Sequence, residues 1–285
     1  WVGGAEPSEM NLPLLPLFSR TQVARLVTSL SLALLMHSSG QAQPVKPQET
    51  ELDRRVNQML DEAYEAELHK LPTELTRQGS KERSDEWDDL SLEAVQQRLS
   101  IWVDCRERIR QEVQNRPLAP ETNLSLQLLD HYIERNQIGM KYFEYDYAVN
   151  QMFGLQAELP ALLINSQRID SLSDAQAYIR RLRALPKFVA DLNAGLVRRQ
   201  QKGVLPPRFV FDYVLDDIDK LLLGFPLTGD PGSPHPLLAD FSKKVERLQL
   251  SDVEKSKLMA EFQSALKEGF GVAYRSLRQT VADQQ

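Results

Sequence analysis

Apolar residues recur along this chain at the three- and four-residue steps of an α-helix, and no stretch sustains the two-residue alternation of a strand. Leu52, Val56, Met59, Leu60, Ala63, Tyr64 and Leu68 form the first such stripe. The polar run "LPTELTRQGSKERSDEWDDLS", residues 71–91, interrupts it and reads as a long loop. Ser91 is placed to cap a helix to about Asn115, built on Leu92, Val95, Leu99, Trp102, Val103 and Ile109. "RPLAP" stops it, because proline has no amide for the hydrogen-bond ladder. A second helix, from about Glu121 to Tyr147, then returns antiparallel on the first.

Beyond Tyr147 the period breaks at Gly154 and Pro160, which predicts a partly buried loop with one short helix. Ser173 and Gln176 have capping-box spacing at the head of a long helix that carries Tyr178, Ile179, Leu182, Leu185, Phe188, Val189, Leu192 and Leu196. That helix is expected to kink at Pro186 and to end at Gly203. Pro206 and Pro207 suit a loop and a first helical turn, and Val210, Val214, Ile218 and Leu221 give the next helix its core face. Asp212, Asp216 and Asp219 fall on the opposite, solvated face. A carboxylate pair at i,i+4 offers fewer oxygens than a hard cation takes, so this helix reads as scaffold. After the turn cluster "GFPLTGDPGSPHPLL" come a short helix to Leu248 and a last one from Ser251, with Glu254 completing a capping box, to about Asp283. The last helix carries Leu258, Phe262, Leu266, Phe270, Tyr274 and Leu277 on successive turns. Nothing after it offers a cover for that stripe, which predicts self-association of the chain through exposed apolar surface. The whole is an all-α array of antiparallel helix pairs.

Composition narrows the class. Of 285 residues, 42% are hydrophobic and 26% charged, which is globular composition. A net charge of -6 gives no electrostatic case for nucleic acid or an anionic membrane. Cys105 is the single cysteine and sits at an apolar helical position, the setting of an inert buried thiol. The chain opens on Trp1, whereas Met10 begins a segment with Arg20 and Arg25, a short apolar run from Leu26 to Met36, and small residues around Ala42. These are the parts of a secretory signal peptide over residues 10–42, preceded by non-native residues 1–9 and followed by a helical domain over 43–285. The apolar run is too short to span a bilayer comfortably. Export without paired cysteines suits a bacterial periplasm or the extracellular space.

Catalytic signatures are sparse. A zinc peptidase needs two histidines on one helical face and a glutamate to activate water. Of the four histidines, His131 is followed by Glu134 at i+3, half of a carboxylate-bridged arrangement, and the matching second Glu-x-x-His is missing. There is no nucleophile elbow, no phosphate-cradling glycine loop and no cysteine–histidine pairing. One cluster stands out. "MKYFEYDYAVNQMFG" places Tyr142, Phe143, Tyr145, Tyr147 and Phe153 beside Asn150 and Gln151. Aromatic rings with amide side chains can line a groove for a peptide backbone, since amides donate and accept. Tyr145, Asn150 and Gln151 are the candidate lining residues.

The order of "LSLEAVQQRL", "YAVNQMFGLQAELPALL", "SLSDAQAYIRRLRALPKFV" and "GLVRRQQKGVLPPRFVFDYVLDDI" resembles the N-terminal half of a large bacterial family of exported proteins, domain of unknown function eight-eight-five. The resemblance implies an all-helical fold similar to oligopeptidases and carboxypeptidases that enclose a deep channel. It implies peptide as the substrate and zinc as the metal, held by a His-Glu motif in the family's second half. No zinc ligand or catalytic residue carries over to any position here. The implied function is that of an N-terminal lobe contributing a channel wall, inactive by itself, in a protein whose domain continues past Gln285. The alternative is a self-contained periplasmic helical binding protein without catalysis.

Overall fold

The computed structural model describes residues 49–285, so the expected signal peptide and the residues before it lie outside the described residues. In chain order the helices are α1 (Glu51–Leu68), α2 (Pro72–Arg77), α3 (Leu92–Val113), α4 (Pro120–Gly139), α5 (Leu155–Asn165), α6 (Leu172–Gln201), α7 (Arg208–Leu221), α8 (Pro236–Glu246), α9 (Asp252–Ala265) and α10 (Val272–Gln284). A 3₁₀ turn, Met140–Tyr142, follows α4, and a π-helical turn, Leu266–Gly271, joins α9 to α10. Among the described residues the fold is all-α, with one isolated bridge, Phe225 to Pro234. No described helix is long and apolar enough to cross a membrane. The chain divides into two compact units, one of residues up to Glu67 with Gln96–Lys141, the other of Leu68–Val95 with Tyr142–Gln285.

The first unit is a three-helix packing of α1, α3 and α4 around Val56, Ala63, Leu99, Trp102, Cys105, Ile109, Leu129 and Ile133. The apolar steps read from the sequence face inward here. Asp53 fastens its open end: one carboxylate oxygen accepts from the amide and hydroxyl of Thr50 at 2.9 and 2.6 Å, the other from the Ala119 amide at 2.9 Å. Those bonds favour the charged carboxylate and hold its pKa at about 2. Glu67 is the opposite case. It is buried, takes hydrogen bonds from the Trp102 indole at 2.8 Å and the Tyr132 hydroxyl at 3.1 Å, and burial raises its pKa. The Cys105 thiol lies against the Met59 carbonyl at 3.3 Å, and burial raises its pKa as well. It is an inert thiol.

The second unit is organised around α6, which packs against α9, the π turn and α10. Ser171 caps α6, accepting from the Asp174 amide. The sequence spacing placed the cap two residues later, at Ser173 with Gln176. The earlier start prevails because Asp174 accepts the Asp170 amide at 3.0 Å and pairs with Lys81 at 2.5 Å, fixing the first turn two residues sooner. The helix runs on unbroken through Pro186 to Gln201, and Gly203 follows with φ +74°. Residues 71–91 are not wholly loop: Pro72–Arg77 is a short helix that buries Pro72, Thr73, Leu75 and Thr76.

Arg181 explains how that polar stretch is held. Its guanidinium is fully buried and donates to the carbonyls of Glu86 and Pro72, to Thr76 Oγ1 and to Gln167 Oε1. It also lies 5.2 Å from the Trp87 ring, whose indole donates to the Arg181 carbonyl. Among the described residues no carboxylate bonds it directly, and burial draws its pKa down to about 10, still charged at neutral pH. A planar donor array inside the fold gathers the backbone of residues 72–87 onto α6.

The last helix corrects an expectation. Leu258, Phe262, Leu266, Phe270, Tyr274 and Leu277 are all buried, with Leu258 the most accessible at 3%. Their cover includes α6, which precedes them in the chain, and Phe241 of α8, which stacks on Phe262 at 4.0 Å, so the stripe is not the exposed surface expected. Close approach makes this possible: a Cβ at Gly269 would sit 2.1 Å from the Leu182 carbonyl oxygen. Asp212, Asp216 and Asp219 are exposed on α7, bonded to Gln285, Lys220 and Arg278. The aspartates face away from the core, as the helical pattern suggested.

Candidate functional site: the aromatic loop

The second long helix stops at Gly139, eight residues before the expected Tyr147, and the chain opens into a loop. Electrostatics explain the early end. Glu144 is buried between Arg198 Nε at 2.7 Å and Lys202 Nζ at 2.5 Å, and these cations keep its pKa below the usual carboxylate range, Lys202 first. Asp146 pairs with Arg199 at 2.5 Å, and its carbonyl accepts from the same guanidinium at 3.2 Å. A helix through 142–147 would turn these acids away from the last turn of α6. Val149, buried to 3% exposure, supplies the apolar peg.

Beyond the peg the loop is wound by amides. Asn150 donates from Nδ2 to the Tyr147 carbonyl at 3.0 Å, and its Oδ1 accepts the amides of Met152 and Phe153 at 2.9 and 2.8 Å. The Asn150 carbonyl accepts from Gln156 Nε2 at 2.6 Å, and the Leu155 amide closes onto Ala148 O at 3.0 Å. Gly154 is obligatory: a Cβ there would lie 2.0 Å from Gln156 Oε1 and 2.5 Å from the Asn150 nitrogen. Tyr274, itself buried, donates to the Gln156 carbonyl at 2.8 Å and ties the assembly to α10.

What this frame presents outward is apolar. Tyr142, Tyr145 and Tyr147 are about half exposed (57, 51 and 46%), and Met152 and Phe153 reach 69 and 74%. Tyr142 and Tyr145 meet edge to face at 5.9 Å. Large apolar side chains on a loop whose polar groups are consumed internally form a rigid ridge suited to docking, since little ordering remains to be done on binding. Of the three residues marked from sequence, Tyr145 and Gln151 are exposed on this ridge. Asn150 belongs to the same loop, but its side chain is spent on bracing the backbone. Met152 went unmarked because a lone methionine carries no signal in sequence. The acid anchors went unmarked because their partners lie more than fifty residues on.

No other chemistry gathers. Among the described residues no three of histidine, cysteine, aspartate and glutamate are grouped to hold a metal ion. His131 and Glu134 are both exposed on α4. His69 faces Glu82 at 3.0 Å, and His235 is an internal strut.

An all-helical scaffold bearing a braced aromatic ridge is the class of protein that these features define. The chain belongs to the family described as Bacterial protein of unknown function (DUF885), which matches residues 72–285. A crystal structure described as "the putative lipoprotein from Colwellia psychrerythraea" is similar at a TM-score of 0.65 and 16% identity, over 82% of this chain. The match takes in 42% of that protein, so this chain spans about two fifths of its length. The likeness extends to the fold. The comparison with curated proteins yields no match.

Proposed function

We propose that this chain is the peptide-docking helical part of an exported protein of the metallopeptidase type, and that the 142–153 loop forms one wall of the substrate groove. The observation that carries the reading is the ridge itself: five large side chains held in solvent by a loop with its own hydrogen bonds, its own ion pairs and a glycine that accepts no substitute. Extended peptides are recognised by aromatic and apolar surfaces with a few placed polar groups, and Gln151 supplies an amide that bonds to nothing among the described residues. Hydrolysis is not assigned to any residue of this chain. In this reading the zinc motif belongs to the portion of the family fold outside the two fifths matched here, and the exported state follows the resemblance and the lipoprotein neighbour.

The test is binding. With the full chain and a fluorescein-labelled library of unstructured hexapeptides, anisotropy should detect binding that the double substitution Tyr145→Ala, Phe153→Ala weakens at least tenfold while far-ultraviolet circular dichroism stays helical. Equal affinity in wild type and variant would remove the ridge from substrate recognition.

A further inference from the structure

The aromatic ridge does not end at Gly154. Its next residue, Leu155, turns inward and forms one wall of a pocket of about 110 Å³ beside the loop. The floor is core: Leu159 and Leu162 at 4% exposure and Phe188 at 6%. Leu90 closes the far side. A dry apolar cavity of about 150 Å³ holds a benzene molecule, so this one suits a slightly smaller group, a branched chain of three or four carbons.

The rim is polar and its charge is unbalanced. Asp88 accepts the amide of Thr73 at 2.9 Å and its hydroxyl at 2.5 Å, which fixes the carboxylate beside the opening. Glu158 stands at the other side and reaches Arg77 at 3.5 Å, while Arg77 also answers Glu74 at 3.8 Å. The buried Arg181 guanidinium offsets Asp88 from inside the fold, so the excess negative charge lies at Glu158, whose partner Arg77 is shared with Glu74. Such a rim favours a positive group and disfavours a negative one.

We propose that this pocket is a side-chain subsite for a peptide's aliphatic residue, leucine or valine in size, next to a positively charged group such as the peptide's amino terminus. The inference rests on the peptide-docking reading of the ridge and gives it a substrate preference. The two are neighbours in the chain: Leu155, which lines the pocket, follows Phe153 across Gly154. Removing one branched side chain from water is worth on the order of tenfold to a hundredfold in affinity, so the preference is measurable.

Two probes separate the pocket from the ridge. Leucinamide carries the aliphatic chain and the cation without a peptide, and saturation-transfer NMR on the full chain should show its methyl groups in contact, with alaninamide and N-acetyl-leucinamide at least tenfold weaker. Labelled Leu-Gly-Gly should bind at least tenfold more tightly than Gly-Gly-Gly. Leu155→Trp, at a half-buried wall, should fill the pocket and abolish both preferences, and Glu158→Gln should reduce only the advantage of the free amine. Circular dichroism melting identifies a variant that fails to fold, and Glu158→Gln at the surface then carries the test. Peptides that bind without a leucine preference, with leucinamide silent, overturn the subsite and leave the ridge. Leucinamide binding with no peptide binding supports the subsite and overturns the groove. Silence from every probe overturns both.

Discussion

His235 shows what a single buried histidine does when it is not a ligand. Its exposure is 1%, its Nδ1 accepts the Leu237 amide at 3.1 Å and caps α8, and its Nε2 meets the Leu221 carbonyl at 2.8 Å. Both bonds are satisfied by the neutral ring with its proton on Nε2. A second proton would have to sit on Nδ1, against a backbone amide and the Phe270 ring 5.3 Å away. Burial therefore lowers its pKa, with the bond to Leu221 opposing the shift. Below about pH 6.5 the unfolded chain takes up a proton that the folded chain refuses, so this contribution is complete above that pH and is lost as pH falls. The urea midpoint should drop between pH 7.5 and 5.5 in the wild type, and less so in His235→Gln. A wild-type profile that is flat over this window would mean that the ring is solvated.

Helices carry their own lesson, at α6 and the π turn. Lengthening the hydrogen-bond step at Leu266–Gly271 lets Gly269 sit against the Leu182 carbonyl, and it does so while Phe270 stacks on Tyr274 at 4.0 Å. A methyl group at Gly269 has no room, because its nearest neighbour is helix backbone. Gly269→Ala should destabilise the second unit by about 1–3 kcal/mol, the range for overpacking, although alanine is the better helix former. A chemical denaturation midpoint at or above that of wild type would show that the two helices separate freely. The contrast marks what was readable in advance. Ser251 and Glu254 form their capping box and α7 turns its aspartates outward, because i,i+3 and i,i+4 relations are local. The early stop of α4, the cap at Ser171 and the burial of the last stripe all depend on partners tens of residues away, on Arg198, Lys81 and α6. The aromatic cluster was legible as composition. Its brace was not, because nothing in "NQMFG" says that Asn150 faces inward to its own loop.

Among the described residues two buried apolar clusters of unequal size form. The first is eight buried apolar residues among α1, α3 and α4; the second runs from Val149 to Val281 and includes the buried face of α6 from Ala175 to Leu196. Stability scales with apolar area removed from water, so the smaller core should open at lower denaturant. Each holds one tryptophan: Trp102, buried in the first, and Trp87, tilted on Phe188 at 5.4 Å in the second. Variants with Trp1→Phe and either Trp87→Phe or Trp102→Phe therefore report one unit each. Trp102 fluorescence should change at the lower urea concentration, and acid should alter the gap in two stages. Glu67, whose pKa burial raises, is protonated more readily in the fold, so its contribution grows as pH falls toward its unfolded value of about 4.5. Asp53, held at about 2, works the other way: its stabilisation is complete above about pH 4 and is lost between there and pH 2. The first unit should thus hold or gain slightly between pH 7 and 5 and then fall steeply below 4, with Asp53→Asn already weakened at neutral pH and flatter in acid. Coincident transitions for both tryptophans at every pH would show that the chain unfolds as one cooperative body, whatever the separation of its cores.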